Sequence, residues 1–241
     1  MQTRTVHMIT AYGRADAFVA VPDDGRRYPA VLMYPDGFGI RPVLRQMAAE
    51  LAGHGYYVLV PNVFYRHGPT PVVELPEFIG DDARDAIFTE LMPMIRAHTA
   101  ERTVSDADAY LDFLTTQPET DSGPIAVTGY CIGGLLAVRT AAAYPARVAA
   151  VAAFHAPVAA DGPDTLAKLT APIHFGHAES DITPADLARL NETLSAAGVI
   201  HTSEIYPGTV HGFTMPDTEA FSPAGLQHHW DRLLPLLAAT V

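Results

Sequence analysis

The chain has 241 residues, of which 15 are Lys or Arg and 27 are Asp or Glu, so its formal net charge is −12. Hydrophobic residue types make up 49% of the chain and charged types 17%, a balance that excludes an intrinsically disordered protein. The negative charge argues against nucleic acid as a partner, because binding to phosphates depends mainly on cationic side chains. The length fits one α/β domain with a sizeable core.

The sequence contains few signals that indicate a cell compartment. The chain contains one cysteine, Cys131, so no internal disulfide can form and an oxidising compartment is not required. The first residues lack a positive segment followed by an apolar core. The most apolar stretch, residues 148–160, contains His155 and Pro157 and is too short to cross a bilayer. The sequence therefore predicts a cytoplasmic protein that does not bind membranes.

Apolar runs of strand length alternate along the chain with longer segments of helical spacing. Residues 5–10 and 17–21 suggest an opening hairpin or edge strands, and residues 30–34 form a continuous apolar run typical of a strand buried on both faces. A helix is predicted over residues 42–52, with Pro42 in its first turn. The other predicted strands are 56–60, 125–128, 148–154, 172–175 and 202–205, and the other predicted helices are 81–96, 102–115, 135–143, 185–197 and 226–237.

Repeated βα units predict one α/β domain over residues 1–241, with a mostly parallel central sheet and helices on both faces. In such sheets ligands bind beyond the carboxyl ends of the strands, so the loops that follow the strands are the places to search for a site. Residues 63–99 contain four prolines and several large apolar side chains. This segment is either a cap over the site or an ordinary crossover with a surface helix.

The first candidate is Cys131, which lies in residues 129–134 (GYCIGG) between a predicted strand and a predicted helix. This sequence fits the nucleophile elbow, a sharp turn that holds its nucleophile in a strained backbone conformation. Side chains two residues before and after the nucleophile would collide, and Gly129 and Gly133 remove them. A helix N-terminus also favours a thiolate. Alternatively, Cys131 is a small buried hydrophobe.

The second candidate is Asp181, in the loop after the strand predicted at residues 172–175. An acid at this end of the sheet can accept the N–H of an imidazole and hold the catalytic tautomer. Glu179 and Asp186 compete for this role. Asp181 could instead cap the helix that follows Pro184.

The third candidate is His211, in residues 206–213 (YPGTVHGF) after the last predicted strand. Taken alone, it could be a solvent-exposed or locally bonded histidine. The chain order, however, is nucleophile at 131, acid at 181 and histidine at 211, which is the order found in α/β-hydrolases. Three catalytic residue types on three loops at one end of a sheet predict a Cys-His-Asp triad.

With these motifs the sequence resembles the dienelactone hydrolase family, a branch of the α/β-hydrolase fold. The resemblance covers about residues 30–241, and a cysteine at the elbow together with His-Gly-Phe at 211–213 is more particular to this family than the elbow glycines. It implies that Cys131, His211 and Asp181 hydrolyse a small carboxylic ester or lactone through a covalent acyl-enzyme, without a cofactor. The residues that carry the resemblance are 34–39 (YPDGFG), 56–65 (YYVLVPNVFY), 129–134, 177–181 and 206–213.

The resemblance also implies an oxyanion hole made of the backbone N–H groups of Ile132 and Gly37. The amide after the nucleophile opens the helix and points at the developing charge, and a glycine lets backbone approach the substrate. Arg84 corresponds to one of two arginines that hold the lactone carboxylate in the family. Phe38, next to Gly37, and Tyr130, next to Cys131, complete the predicted substrate-binding residues.

The chain departs from the family at two places. Asp36 stands where the family has a glutamate that takes part in activating the thiol; aspartate is one methylene shorter, and Asp-Gly is also a frequent turn pair. Thr214 and Met215 occupy the region of the second family arginine, so half of a strong bidentate clamp for a carboxylate is missing. Dienelactone itself is therefore not required as the substrate.

Other functions were compared with the hydrolase. The chain has no nucleotide-binding glycine motif, no H-E-x-x-H sequence and no second cysteine, so neither a nucleotide nor a metal site is expected. His228 and His229 are interpreted as a surface pair on the last helix. The alternatives are a thioesterase or broad carboxylesterase with the same triad, or a non-catalytic protein whose Cys131 is a redox or ligand-holding thiol. The predicted partner is a small-molecule ester or lactone, and the sequence does not indicate an oligomeric state.

Overall fold

The computed structural model describes residues 1–157 and 161–241, which form eight strands and seven helices. The strands are β1 (Gln2–Thr10), β2 (Gly13–Val21), β3 (Ala30–Tyr34), β4 (Tyr57–Pro61), β5 (Ile125–Tyr130), β6 (Val148–Phe154), β7 (Ile173–Ala178) and β8 (His201–Tyr206). The helices are α1 (Pro42–Gly53), α2 (Asp81–Arg96), α3 (Ala100–Thr116), α4 (Ile132–Ala143), α5 (Gly162–Leu166), α6 (Pro184–Ala196) and α7 (Pro223–Thr240).

The eight strands form a single sheet in the order β1-β2-β4-β3-β5-β6-β7-β8. β1 and β2 form an antiparallel hairpin, β2 pairs antiparallel with β4, and the other pairs are parallel. The predicted mostly parallel α/β sheet is therefore confirmed. Because β5 lies between β3 and β6, the loop that follows β5 begins at the middle of the sheet edge. The loops after β3, β7 and β8 open on the same edge.

Helices cover both faces of the sheet, and each face has its own apolar core. One core contains Tyr110 and Leu111 of α3 and Leu136 of α4. The other contains Leu44 of α1 and Leu233 of α7, among other side chains. Burial of these helix faces excludes water from the strands, all five residues of β3 being buried. Of the helices in the described residues, none is long and apolar enough to cross a membrane.

The structure corrects several predicted boundaries. β1 begins at Gln2 instead of residue 5, because its full register with β2 continues through polar positions on the edge of the sheet. α4 begins at Ile132 instead of residue 135, because its first turn includes two glycines that are typical of a loop. β7 continues to Ala178, so residues 177–178 belong to a strand instead of a loop. The short helix α5 was not predicted.

Candidate active site

Cys131 lies between β5 and α4 with φ 53° and ψ −124°, a conformation that non-glycine residues rarely adopt. A Cβ atom on Gly129 would lie 2.1 Å from the carbonyl oxygen of Gly133. A Cβ atom on Gly133 would lie 2.3 Å from the carbonyl oxygen of Pro35. Only glycine fits at these two positions, as the steric argument from the sequence requires. Cys131 is half-buried and so is not enclosed in the core.

His211 and Asp181 meet at the carboxyl ends of β7 and β8. The Nδ1 atom of His211 lies 2.8 Å from Oδ2 of Asp181, and a third of the imidazole side chain is exposed. Burial alone would lower the pKa of His211, but the hydrogen bond to Asp181 and the interaction with Cys131 raise it to about 10. Since Nδ1 is bound to Asp181, Nε2 is the ring nitrogen left for Cys131. The arrangement favours a proton on the imidazole.

The loops that carry the acid and the histidine are joined by further hydrogen bonds. The N–H of His211 donates to Ser180 Oγ at 3.0 Å, and the N–H of Gly208 donates to Glu179 Oε2 at 2.6 Å. Glu179 is thereby occupied and does not orient the imidazole. Sequence reasoning missed Ser180, whose only sequence signal is its position beside the acid.

The alternative role of Asp181 as a helix cap is not what the structure shows. The cap of α6 is Thr183, whose hydroxyl accepts the N–H of Asp186 at 3.1 Å. Asp181 lies two residues before this cap and is left to bind His211. Asp186, the other competing acid, belongs to the first turn of α6 and hydrogen-bonds Thr183.

Two backbone N–H groups are available as oxyanion donors. In the described part of the chain, neither the N–H of Ile132 nor that of Gly37 donates to a protein acceptor. Ile132 is the first residue of α4, so its N–H has no partner within the helix. The contact of Gly133 with the Pro35 carbonyl places the loop that contains Gly37 directly against the elbow. The donors predicted from the sequence therefore lie on two backbone segments that touch.

The structure gives Asp36 a different partner from the predicted thiol. Its two carboxylate oxygens lie 2.6 and 3.0 Å from Nη1 and Nη2 of Arg41, and Oδ1 also accepts the N–H of Phe38 at 3.0 Å. Asp36 is 4% exposed, so this ion pair is buried. A carboxylate held in this way is not free to take a proton from Cys131, and the predicted thiol-activating role is corrected. Sequence reasoning missed Arg41.

Tyr130 does not contact a substrate through its side chain, which corrects its predicted role. The residue is 0% exposed, its ring stacks on Phe154, and its hydroxyl lies 3.0 Å from Nε2 of His229. His229 is itself 0% exposed, so the predicted surface pair on the last helix is wrong for this residue. His228 of the same pair is partly exposed and bonds to Glu204 at 2.9 Å. The phase of α7 against the sheet, which the sequence does not reveal, turns His229 inward.

The variant Tyr130→Phe tests this correction. Loss of the hydroxyl leaves Nε2 of His229 buried without a partner, so we expect the free energy of unfolding to fall by about 1–3 kcal/mol. We expect kcat/KM for any ester substrate to stay unchanged, because the ring lies in the core. Urea unfolding measures the first quantity and steady-state kinetics the second. A large rise in KM with unchanged stability would contradict the assignment.

Helix α2 lies over the proposed oxyanion donor. An added Cβ on Gly37 would lie 3.1 Å from Cδ1 of Ile95 and 3.8 Å from Cε1 of Phe88. The rings of Phe38 and Phe88 are 5.0 Å apart, and the Arg84 guanidinium lies 5.2 Å from the Phe88 ring centre. Phe38 and Arg84, both predicted to bind substrate, are therefore joined through Phe88 above the site. This placement favours the interpretation of residues 63–99 as a cap over the site instead of an ordinary crossover.

Two cavities flank this region. One of about 700 Å³ lies between residues 70–78 and the start of α1, and Phe38 and Arg41 form part of its wall. Another of about 520 Å³ lies beside Asp181 and is lined by apolar side chains that include Leu166 and Leu190. Each volume is in the range of small-molecule sites. Both cavities adjoin the loops that carry the proposed catalytic groups.

Several histidines beneath the site are buried and neutral. His155 is 0% exposed, has φ 39°, and places its ring 5.2 Å from that of His211. Burial lowers the pKa of His155 well below its ordinary value. Burial also lowers the pKa of His174 and of His177 to about 4 and that of His229 to about 3. These rings act as neutral polar packing groups at neutral pH.

The chain is similar to known proteins over most of its length. A model described as the dienelactone hydrolase family matches residues 15–241. The chain belongs to the dienelactone hydrolase family. This membership confirms the resemblance seen in the sequence and the prediction of a hydrolase.

Individual relatives agree with the assignment. A carboxymethylenebutenolidase from Rhodococcus opacus is 28% identical over 217 residues, which are 84% of this chain and 77% of the relative. A carboxymethylenebutenolidase from a Pseudomonas species is 34% identical over 131 residues, or 54% of this chain and 51% of the relative. The crystal structure of a dienelactone hydrolase-like promiscuous phosphotriesterase from metagenomic libraries has a TM-score of 0.78 at 19% identity and covers 99% of this chain and 98% of its own. The last similarity shows the α/β-hydrolase fold.

Proposed function

We propose that this member of the dienelactone hydrolase family hydrolyses a small carboxylic ester or lactone through an acyl-enzyme on Cys131. The observation that carries the proposal is the 2.8 Å hydrogen bond between Asp181 and His211, formed beside a half-buried cysteine on a strained strand-to-helix turn. A cysteine with only a structural role in the core would not require a hydrogen-bonded histidine and acid beside it. The carboxymethylenebutenolidases among the relatives support a lactone or ester as substrate.

Acylation begins with transfer of the thiol proton of Cys131 to His211. The sulfur attacks the carbonyl carbon, a C–S bond forms, and the π electrons move to the oxygen. The N–H groups of Ile132 and Gly37 stabilise this oxyanion. When the intermediate collapses, the C–O bond to the leaving alcohol breaks and His211 donates its proton to the departing oxygen.

Deacylation uses the same imidazole as a base. The interaction with Cys131 helps to raise the pKa of His211, and acylation removes the negative charge of the sulfur. The imidazole therefore becomes neutral more readily in the acyl-enzyme than in the free enzyme. It takes a proton from water, the hydroxide attacks the acyl carbon, and collapse of the second intermediate breaks the C–S bond and releases the acid.

Intact-protein mass spectrometry with a p-nitrophenyl ester tests the proposal. We expect an acyl adduct on Cys131 early in the reaction and steady release of nitrophenol afterwards. A protein whose thiol reacts with iodoacetamide but neither gains an acyl group nor releases nitrophenol would overturn the proposal. That result would favour the non-catalytic thiol protein instead.

The variant Asp181→Asn tests the orienting acid. An amide can present its NH₂ group to Nδ1 and hold the wrong tautomer, so we expect kcat to fall by about 10⁴, as for the corresponding change in serine triads. Asp186→Asn is the matched control, because this carboxylate lies in the first turn of α6 and should affect turnover little. If Asp181→Asn kept near-normal turnover, the acid would have to be assigned to another residue.

A broad carboxylesterase is the second candidate, and it is favoured because only one of the two family arginines, Arg84, has a counterpart in this chain. Arg84 forms no ion pair within the described residues, whereas Thr214 and Met215, in the region of the second family arginine, are both 0% exposed. A single Arg84 contact would still give some preference for carboxylated lactones.

The variant Arg84→Gln separates the two candidates. If a carboxylated lactone is the substrate, this change should raise KM for that lactone by about tenfold and leave p-nitrophenyl acetate unaffected. Arg96→Gln at the other end of α2 is the control. An equal effect of Arg84→Gln on both substrates would remove Arg84 from substrate recognition.

A further inference from the structure

Arg41 binds two acidic side chains from distant parts of the chain. It precedes α1 and is 6% exposed. Its Nη1 and Nη2 atoms lie 2.6 and 3.0 Å from the carboxylate of Asp36. Its Nε and Nη2 atoms lie 2.6 and 3.1 Å from the carboxylate of Asp217. The guanidinium therefore makes two bidentate ion pairs, one with the buried Asp36 and one with Asp217, whose side chain is 20% exposed.

These ion pairs connect the three parts of the site. Asp36 adjoins Gly37 of the proposed oxyanion hole, and Asp217 lies in the loop that follows His211. The carbonyl oxygen of Asp217 also accepts the N–H of Ile79 at 2.8 Å, which joins this loop to the segment before α2. One guanidinium thus links the oxyanion loop, the histidine loop and the base of the cap segment.

The ion pairs also bear on the direction of the Gly37 N–H. The carbonyl oxygen of Asp36 accepts the N–H of Gly39 at 3.0 Å in a tight turn. In a trans peptide the C=O and the following N–H point in opposite directions, so this bond turns the N–H of Gly37 away from the turn. Arg41 holds the Asp36 side chain, and that side chain also accepts the N–H of Phe38. The turn is therefore fixed from both its backbone and its side chain.

A stabilising role alone does not account well for this arrangement. Burial of charges costs desolvation energy, and buried ion pairs are often no more stable than apolar groups of the same volume. Without Arg41, the buried carboxylate of Asp36 and the partly exposed carboxylate of Asp217 would face each other with no cation between them. Their repulsion would act directly on the turn that presents Gly37. The two ion pairs are explained if the position of this turn affects the rate of the reaction.

We propose that Arg41 is a positioning residue of the oxyanion hole, which sets the Gly37 N–H relative to Cys131 and His211 by tying Asp36 to Asp217. This inference rests on the proposed acyl-enzyme function and adds the group that orders its oxyanion donor. Arg41 acts through Asp36 and does not touch the substrate. Its effect should therefore be confined to steps that form an oxyanion.

The test compares two reactions of the same sulfur. Acylation by a p-nitrophenyl ester passes through an oxyanion, whereas alkylation by iodoacetamide displaces iodide and builds no charge on a carbonyl oxygen. The variant Arg41→Lys keeps one charge but loses the forked hydrogen bonds. We expect its acylation rate constant to fall by about 100-fold, the effect of losing one oxyanion donor. We expect its alkylation rate to stay close to that of the wild type.

Arg66→Lys is the matched control for loss of an arginine fork that is bound to a buried carboxylate. Arg66 binds Asp106 through two hydrogen bonds of 2.8 Å and contacts neither Asp36 nor Asp217. We expect this variant to lose stability but to keep the wild-type ratio of acylation to alkylation. Asp217→Asn is a milder second variant that keeps the Asp36 ion pair, and we expect a smaller fall in acylation.

The outcomes separate this inference from the function on which it rests. If the wild type never forms an acyl-enzyme, the proposed function fails. If the wild type acylates but Arg41→Lys and Asp217→Asn do so equally fast, the positioning role is overturned. A parallel loss of acylation and alkylation in folded Arg41→Lys would also overturn it, because Arg41 would then act on the thiol itself.

Discussion

Replacement of Cys131 by alanine is expected to abolish acyl-enzyme formation and to lower turnover by at least about four orders of magnitude. The chain has no second cysteine, and His211 and Asp181 cannot form the covalent intermediate for it. The Cβ atom is retained and only the sulfur of a half-buried residue is lost, so the fold should persist. Steady-state turnover of a p-nitrophenyl ester and intact mass after a short incubation measure the two effects.

A second substitution at the same position provides the control. Cys131 has φ 53°, which glycine adopts freely and alanine does not. Cys131→Gly should be as inactive as Cys131→Ala but about 1 kcal/mol more stable, because it relieves the backbone strain of the turn. Turnover near the wild-type rate in either variant would refute the covalent mechanism. Equal stabilities would show that the turn stores no strain.

The free energy of unfolding is expected to fall steeply as the pH is lowered from 6.5, the ordinary pKa of histidine, toward 4. His155, His174, His177 and His229 are at most 2% exposed. Burial lowers the pKa of each, to about 4 for His174 and His177 and to about 3 for His229. In the unfolded chain they regain ordinary values and bind protons that the folded protein excludes.

The sign follows from proton linkage. Well above pH 6.5 both states are uncharged at these rings and there is no effect. As the pH falls below this value the unfolded state binds more protons, so stability is lost until the folded rings also titrate, near pH 4 for His174 and His177 and near pH 3 for His229. Each ring contributes about 1.4 kcal/mol per pH unit in this window. Since the free energy of unfolding of a domain is only about 5–15 kcal/mol, four such rings should cause acid unfolding within this pH window.

Urea unfolding at a series of pH values measures this dependence. His177→Phe should reduce the slope by about 1.4 kcal/mol per pH unit, because one buried titrating ring is removed next to an apolar cavity. His7→Gln on the exposed face of β1 should leave the slope unchanged. A stability that stayed constant between neutral pH and pH 5 would show that these histidines remain neutral in the unfolded ensemble or are not buried.

The features that the sequence predicted well depend on local steric constraints or on repeated βα units. Alternating apolar runs and helical spacing predicted the mostly parallel sheet, because βα units allow few other arrangements. Gly129 and Gly133 were singled out by a steric argument, and these glycines make the closest backbone contacts around Cys131. The loops that carry Asp181 and His211 were found because the ends of parallel strands must meet at one edge.

The features that were missed depend on how distant segments pack. Arg41 meets Asp217 across 176 positions, and no local pattern relates the two residues. Asp36 was interpreted from its neighbours along the chain, whereas its partner in space decides what its carboxylate does. His229 was interpreted as exposed because the sequence does not reveal the rotation of α7 about its axis. Tyr130 was placed next to the substrate for its position beside the nucleophile, although alternate residues of a strand point in opposite directions.

The contact of Gly133 with the Pro35 carbonyl bears on how such a site survives change in the rest of the chain. At this point the spacing between the thiol turn and the loop that bears Gly37 is set by main-chain atoms, without an intervening side chain. Core side chains can therefore be exchanged for others of similar volume with little effect on this spacing. A single added methyl group at Gly133 would force the two segments apart. The active site should thus tolerate many substitutions in the surrounding core but almost none at Gly133, where even one added carbon atom does not fit.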